Sequence, residues 1–357
     1  GTAGNFTLTF TPTSLTAITS DSFAVTFGTA TASAITTQPS GAVNGVAFTG
    51  QPVVRIVDAS GNTVTSSSVN VVATIASGTG TLSGTTTVAA SSGVATFSNL
   101  KIVGTAGNFT LTFTPTSLTA ITSSSFALAF GAATASAITT QPSGAVNGVA
   151  FTGQPVVRII DSGGNTVTSS SVNVVASIAS GTGTLSGTTT VAASSGVATF
   201  SNLVITGTAG NFTLTFTPTS LTAITSDSFA VTFGTATASA ITTQPSGAVN
   251  GVAFTGQPVV RIVDASGNTV TSSSVNVVAT IASGTGTLSG TTTVAASSGV
   301  ATFSNLVITG TAGNFTLTFT PTSLTAITSD SFAVTFGTAT ASAITTQPSG
   351  AVNGVAF

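Results

Sequence analysis

Residues Gly104-Thr-Ala-Gly-Asn-Phe-Thr-Leu-Thr-Phe113 carry two messages at once. From Phe109 onward apolar and hydroxyl side chains alternate. That places Phe109, Leu111 and Phe113 on one face of an extended strand and Thr110, Thr112 and Thr114 on the other. The same ten letters begin again at Gly1, Gly207 and Gly310, 103 residues apart each time. A near-identical period of that length means one folding unit copied head to tail. The stretch therefore predicts a β-protein made of repeated units.

Outward from it, strand signals alternate with turn signals at the spacing of an all-β fold. Phe126, Leu128 and Phe130 are expected to point inward, as are Val69, Val71, Ala73 and Ile75. Val54 and Ile56 turn Arg55 outward, and Leu100 and Ile102 do the same for Lys101. Shorter strands are expected over 32–36, 81–83, 85–89 and 94–97. Between strands lie Asp58-Ala-Ser-Gly-Asn62, Gly78-Thr-Gly80 and Ser91-Ser-Gly93, where Gly supplies positive φ and Asp can cap its own turn. A period of 3.6 is nowhere convincing, and β-branched Thr and Val dominate. Each unit holds six Phe, each stabilising by roughly 1.5–3 kcal/mol when buried, which supplies a core without disulfides.

The small-residue stretch Gly28-Thr-Ala-Thr31 and its copies at Gly131, Gly234 and Gly337 read as linkers. Complete units are then expected at 32–131, 135–234 and 238–337. Residues 1–28 would be the C-terminal part of a preceding unit and 341–357 the N-terminal part of a following one. The two fragments lack the stretch equivalent to 49–103 and cannot complete each other, so a longer polymer is expected.

Three pieces carry a family likeness: a strand ending in Val57-Asp-Ala-Ser-Gly-Asn-Thr-Val64, a Gly93-x-Ala95-x-Phe97 step and a Gly107-x-Phe109-x-Leu111 strand. Together they resemble the tandem bacterial immunoglobulin-like repeats, of the invasin/intimin type, found in giant surface adhesins and filaments. The resemblance covers the whole chain. It implies head-to-tail immunoglobulin-like β-sandwich domains with a 103-residue period, standing outside the cell. Such domains serve as spacers and as binders alike.

Composition narrows the function by exclusion. The chain has no His, Cys, Met, Trp or Tyr, and only six acidic residues, all Asp. Acid–base catalysis, hydroxyl activation and transition-metal binding each need side chains that are missing here, so no enzyme, catalytic residue, cofactor site or metal site is expected. Four basic residues, Arg55, Lys101, Arg158 and Arg261, spread over the length make no patch for nucleic acid. Mean hydropathy is positive, at +0.60, yet no apolar run approaches the ~20 residues of a membrane span.

The remaining motifs have plain readings. Asp58, Ser60 and Asn62 imitate the opening of a calcium loop, but no acidic residue follows near the twelfth position. The second unit reads Asp161-Ser-Gly-Gly-Asn165, so turn chemistry is the better account. Arg55 and Asp58 are spaced for a local, exposed ion pair worth under about 1 kcal/mol. Asn-Phe-Thr at Asn5, Asn108, Asn211 and Asn314 matches a glycosylation triplet and reads here as strand starts. Sheet edges lack the Lys and charge that normally guard them.

These features point to a structural repeat region: an extracellular bacterial filament or adhesin stalk, on the cell surface, giving length and surface for cell adhesion. Multivalent weak ligand binding is the first alternative, and a self-assembling sheath or virion-associated fibre the second. The expected partners are neighbouring repeats of the same chain, with lateral self-association into fibres.

Overall fold

The computed structural model describes residues 1–356, and these are built from strands and turns with no helix. The first complete unit sets the pattern. Its strands are β1 (Ala32–Thr37), β2 (Ala42–Val43), β3 (Val53–Val57), β4 (Asn70–Ser77), β5 (Gly80–Ser83), β6 (Thr87–Ala89), β7 (Val94–Thr96), β8 (Lys101–Gly104), β9 (Gly107–Pro115), β10 (Ile121–Thr122) and β11 (Phe126–Ala129). One sheet runs β6-β4-β9-β11-β2, with β10 paired to β9, and the facing sheet runs β7-β3-β1. A short ladder of β5 on β8 closes one side.

All pairings in the unit are antiparallel except one. β2 lies parallel to β11, Ala42 opposite Leu128 and Val43 opposite Ala129. The first strand thus serves both layers, pairing with β3 through β1 and with β11 through β2. Two facing sheets in this order form an immunoglobulin-like sandwich. The same pairings recur in the second and third units, with parallel ladders at Ala145–Val146 on Val231–Thr232 and at Ala248–Val249 on Val334–Thr335.

The alternation in the sequence decides which side chains meet between the sheets. Phe109, Leu111 and Phe113 are 1%, 0% and 0% exposed, and Val54, Ile56, Leu100 and Ile102 are each fully buried. Phe97 tilts against Phe113 with ring centres 5.2 Å apart, and Phe48 meets the edge of Phe126 at 5.5 Å. Such geometries add about 0.5–1.5 kcal/mol beyond burial alone. On the outer face, Thr112 bonds Thr122 across strands at 3.3 Å, and Ser77 bonds Thr110 at 2.8 Å. Among the described residues three separate clusters of this kind form, one per repeat, and none spans two units.

Two expectations fail. Phe130 does not enter the core: the strand ends at Ala129, and Phe130 is half-buried at the end of the unit. Nor does Arg55 pair with Asp58. Strand alternation sends Arg55 to the outer sheet face, where its Nη1 donates to Thr63 Oγ1 at 3.1 Å. The Asp58 carboxylate lies at the pole of the unit, where N–H groups occupy it.

The end fragments show what a partner contributes. Gly4–Phe6 and Thr9–Phe10 are two short strands where the equivalent β9 is continuous, and Phe6 and Phe10 are 41% and 54% exposed. Ala341–Thr346 repeats the letters of β1 but forms no strand, having no β3 beside it.

Replacing Phe113 by Ala should destabilise the first unit by about 3–5 kcal/mol. Because the cores are separate, urea titration should then show an early transition of about one-third amplitude, the other two units melting as before.

Candidate functional site: the joint between units

Each unit meets the one before it through the turn that follows β3. In the first unit Asp58 Oδ1 accepts the backbone N–H groups of Ser60 and Asn62, both at 2.9 Å. Gly61 sits at φ +81°, a left-handed conformation that closes the turn and that glycine adopts at no steric cost. This much is the self-capped turn expected from the sequence. The rest of the turn faces away from its own unit.

Asp58 Oδ2 accepts the N–H of Gly28 at 2.8 Å, at the end of the preceding segment. Asn62 Oδ1 accepts the N–H of Ala3 at 2.8 Å, while its Nδ2 donates to the carbonyl of Gly1 at 2.9 Å. A carboxamide is thereby used as a peptide group, pairing with the neighbouring backbone as another strand would.

The arrangement repeats. At the second joint Gly131 N–H reaches Asp161 Oδ2 at 2.8 Å, Ala106 N–H reaches Asn165 Oδ1 at 2.7 Å, and Asn165 Nδ2 donates to Gly104 O at 2.8 Å. At the third, Gly234, Ala209 and Gly207 meet Asp264 and Asn268 in the same way, each at 2.8 Å. The stretch read as a linker is therefore pinned. Thr31, Thr134 and Thr237 donate to the last residue of the following β3 equivalent, and Ala30, Ala133 and Ala236 pack on the following core.

A third group completes the joint from the preceding side. Asn147, 6% exposed, accepts Gly207 N–H at 2.9 Å and donates from Nδ2 to Asp264 Oδ2 at 2.8 Å. Asn44 instead donates to Gly104 O at 2.6 Å and leaves Asp161 alone. The two joints differ at several nearby positions, among them Ser162 and Gly163 in place of Ala265 and Ser266, and Val103 in place of Thr206. Position 163 is Gly where the other units carry Ser60 and Ser266, and a Cβ there would run into Asn44 Nδ2 and Gly104 O. The Asn44 amide occupies space that a side chain at 163 would fill.

Phe27, Phe130 and Phe233 are half-buried beside these joints, whereas Phe336, with no folded unit after it, is 88% exposed. Phe27 shares an open cleft with Val64, Ser66 and Ser67 of the next unit. Asn44, Asn147, the three glycines and these phenylalanines escape a sequence reading. Their partners are about 30 to 117 residues away, and an Asn-Gly pair looks like an ordinary turn.

The electrostatics follow from the donors. At Asp264 burial pushes the carboxyl up. Bonds from the Asn268 side chain, Gly234 N–H, the Asn147 side chain and Asn268 N–H outweigh it and bring the pKa from 3.8 to about 2. Asp161 is lowered too, its burial outweighed by bonds led by Gly131 N–H. Asp58 is held well below the ordinary carboxylate range, foremost by the Asn62 side chain. Calcium needs oxygen ligands with free lone pairs, and here N–H groups already converge on both carboxylate oxygens. No group of three or more Asp side chains suited to a metal occurs among the described residues.

No protein-family model and no curated protein matches the chain. Among solved structures it is similar to the Escherichia coli adhesin FdeC, 17% identical over 88% of this chain and 100% of that one, with a TM-score of 0.35. It is similar also to InvD of Yersinia pseudotuberculosis, at 15% identity over 84% and 97% of the two chains and a TM-score of 0.33. The D0-D1 domain of intimin is 18% identical over 56% of this chain and 97% of its own, with a TM-score of 0.22. The immunoglobulin-like assignment rests on strand order and register.

Two outcomes test the joint. Asn268→Ala removes two bonds to the preceding unit, worth about 1–3 kcal/mol together, and should widen the spread of angles between units 2 and 3 in residual dipolar couplings. Acid should do likewise at the Asp264 joint. A carboxyl lowered from 3.8 to about 2 stabilises the docked form fully above the ordinary value. That contribution is lost as pH falls from about 4 through about 2, so the spread should grow across that window.

Proposed function

We propose that this chain is a length-giving segment of an extracellular bacterial adhesin stalk or filament, in which immunoglobulin-like units are set at fixed attitudes to one another. The observation that carries this reading is the threefold joint. The same Asp and Asn side chains bond the same backbone positions of the preceding unit each time. A binder that needed only many copies of a loop could leave its linkers free, whereas a spacer needs each unit to continue the direction of the last. The near absence of charge and of catalytic side chains also fits a part whose product is distance. Adhesion itself would then belong to whatever the stalk presents.

A second reading, a laterally packed sheath, is favoured by one feature of the surface. Val72, Val175 and Val278 are 38%, 42% and 37% exposed on a face otherwise made of Thr, Ala, Asn and Ser, with no charged side chain in those strands to keep a second copy away.

Each unit should add roughly 35–45 Å along the axis, so electron micrographs should show thin rods of about three times that length for three units. Compact particles would overturn the stalk reading. Rods that bundle with rising concentration, and stop bundling when Val72, Val175 and Val278 are all changed to Lys, would favour the sheath. Chelating calcium should leave rod length unchanged, because the joints are closed by N–H donors.

A further inference from the structure

The joint touches the preceding unit at a mechanically particular place. The chain enters each unit through β1, whose first residue, Ala32, pairs with Val57 beside the Asp58 turn. It leaves after β11, through Gly131 at the opposite pole. β2 and β11 run parallel. Tension applied between entry and exit pulls β2 toward one pole and β11 toward the other, so their hydrogen bonds are loaded together in shear rather than opened singly. The ladder is only two residues long, and whatever holds its end matters in proportion.

That end is where the next unit docks. Asn147 directly follows the β2 equivalent of unit 2, and its own N–H donates to Thr232 O of the β11 equivalent at 2.9 Å. Gly234 lies just beyond that strand. Asp264 Oδ2, from unit 3, accepts both the Asn147 side chain and Gly234 N–H at 2.8 Å. One carboxylate oxygen thus bridges the residues just past the ends of the two sheared strands in the unit before it. In unit 1 the bridge is half made: Asp161 holds Gly131, but Asn44 donates to Gly104 O and lies in space that a side chain at 163 would fill.

We propose that each unit's turn carboxylate is a staple on the parallel strand pair of its predecessor, so that resistance to pulling in one unit is set by the unit that follows it. Stability in the array then includes a directional nearest-neighbour component. Residue 163 or its equivalent (Gly or Ser) selects between a half and a full staple. The proposal deepens the stalk reading and rests on units being arrayed along one axis. A pulling assay supplies the tension itself, so failure of the staple and failure of the stalk are separately visible.

The test is constant-force extension of the full chain held by its two ends. Wild type should give three unfolding steps of similar length, each about 300 Å for some hundred residues at ~3.5 Å apiece. Asn147→Ala removes the bond to Asp264 and also the Gly207 N–H bond inside its own unit, so it should speed one of the three by at least roughly tenfold, the scale of one hydrogen bond to a charged acceptor, and leave the other two unchanged. Asp264→Ala, which leaves the Gly207 bond in place, should speed the same step. Gly163→Ser should act oppositely, pushing Asn44 onto Asp161 and slowing one step. Wild-type rates in all three steps for all of these variants, or equal acceleration of all three by Asn147→Ala, would overturn the proposal. Should unit 2 of Asn147→Ala fail to fold, two steps would remain, and the Asp264→Ala and Gly163→Ser results would decide.

Discussion

An ionised carboxylate withdrawn from water is tolerated only when its oxygens are given other donors, and that requirement organises this molecule end to end. Asp58, Asp161 and Asp264 are among the few charges in the chain, and each is among the buried polar residues. Their own turns supply donors to one oxygen. The other oxygen takes one donor from its own turn, the Asn62, Asn165 or Asn268 side chain, and its backbone donor from the preceding unit, through Gly28, Gly131 or Gly234. Undocking would strip that oxygen of the donors that the preceding unit supplies, so the joint is closed by the same rule that disfavours unpaired polar groups in a core. The array is an outcome of hydrogen-bond satisfaction between units whose apolar cores never merge.

The within-unit fold was legible because alternation of apolar and hydroxyl residues leaves little choice of face. Phe109, Leu111, Phe113, Val54 and Ile56 all lie where a period of two puts them. Phe130 fits the same period and breaks it, because β11 stops one residue earlier and the chain turns toward the joint. Periodicity registers side-chain direction but not where pairing ends. The joint was half legible. The Asp-x-x-Gly-Asn turn announces its own capping, yet nothing local tells an Asn that bonds its own loop from one that bonds a strand sixty residues away. Repetition gave no help, since near-identical copies make every residue equally recurrent.

Identical letters in different surroundings make the same point from another side. Ala-Ser-Ala-Ile-Thr-Thr is a strand at 32–37, 135–140 and 238–243, and none at 341–346. Its Ile and Ala need a facing sheet before extended backbone becomes worthwhile. β-propensity here is a fit to a half-buried surface more than a preference of the chain. The joint shows the same dependence on surroundings: Asn44 and Asn147 are one letter at equivalent positions, yet Asn147 donates to a carboxylate of the next unit and Asn44 to a carbonyl of its own.

The scarcity of charge has a consequence for the medium in which such an array stands. Dissolved salt acts on proteins chiefly by screening exposed charges over a Debye length of about 10 Å at 0.1 M. With 3% charged residues, and with three of the six carboxylates saturated by peptide and amide dipoles, little is left for ions to screen. The joints between units are thereby largely insensitive to salinity, closed in dilute water as in brine.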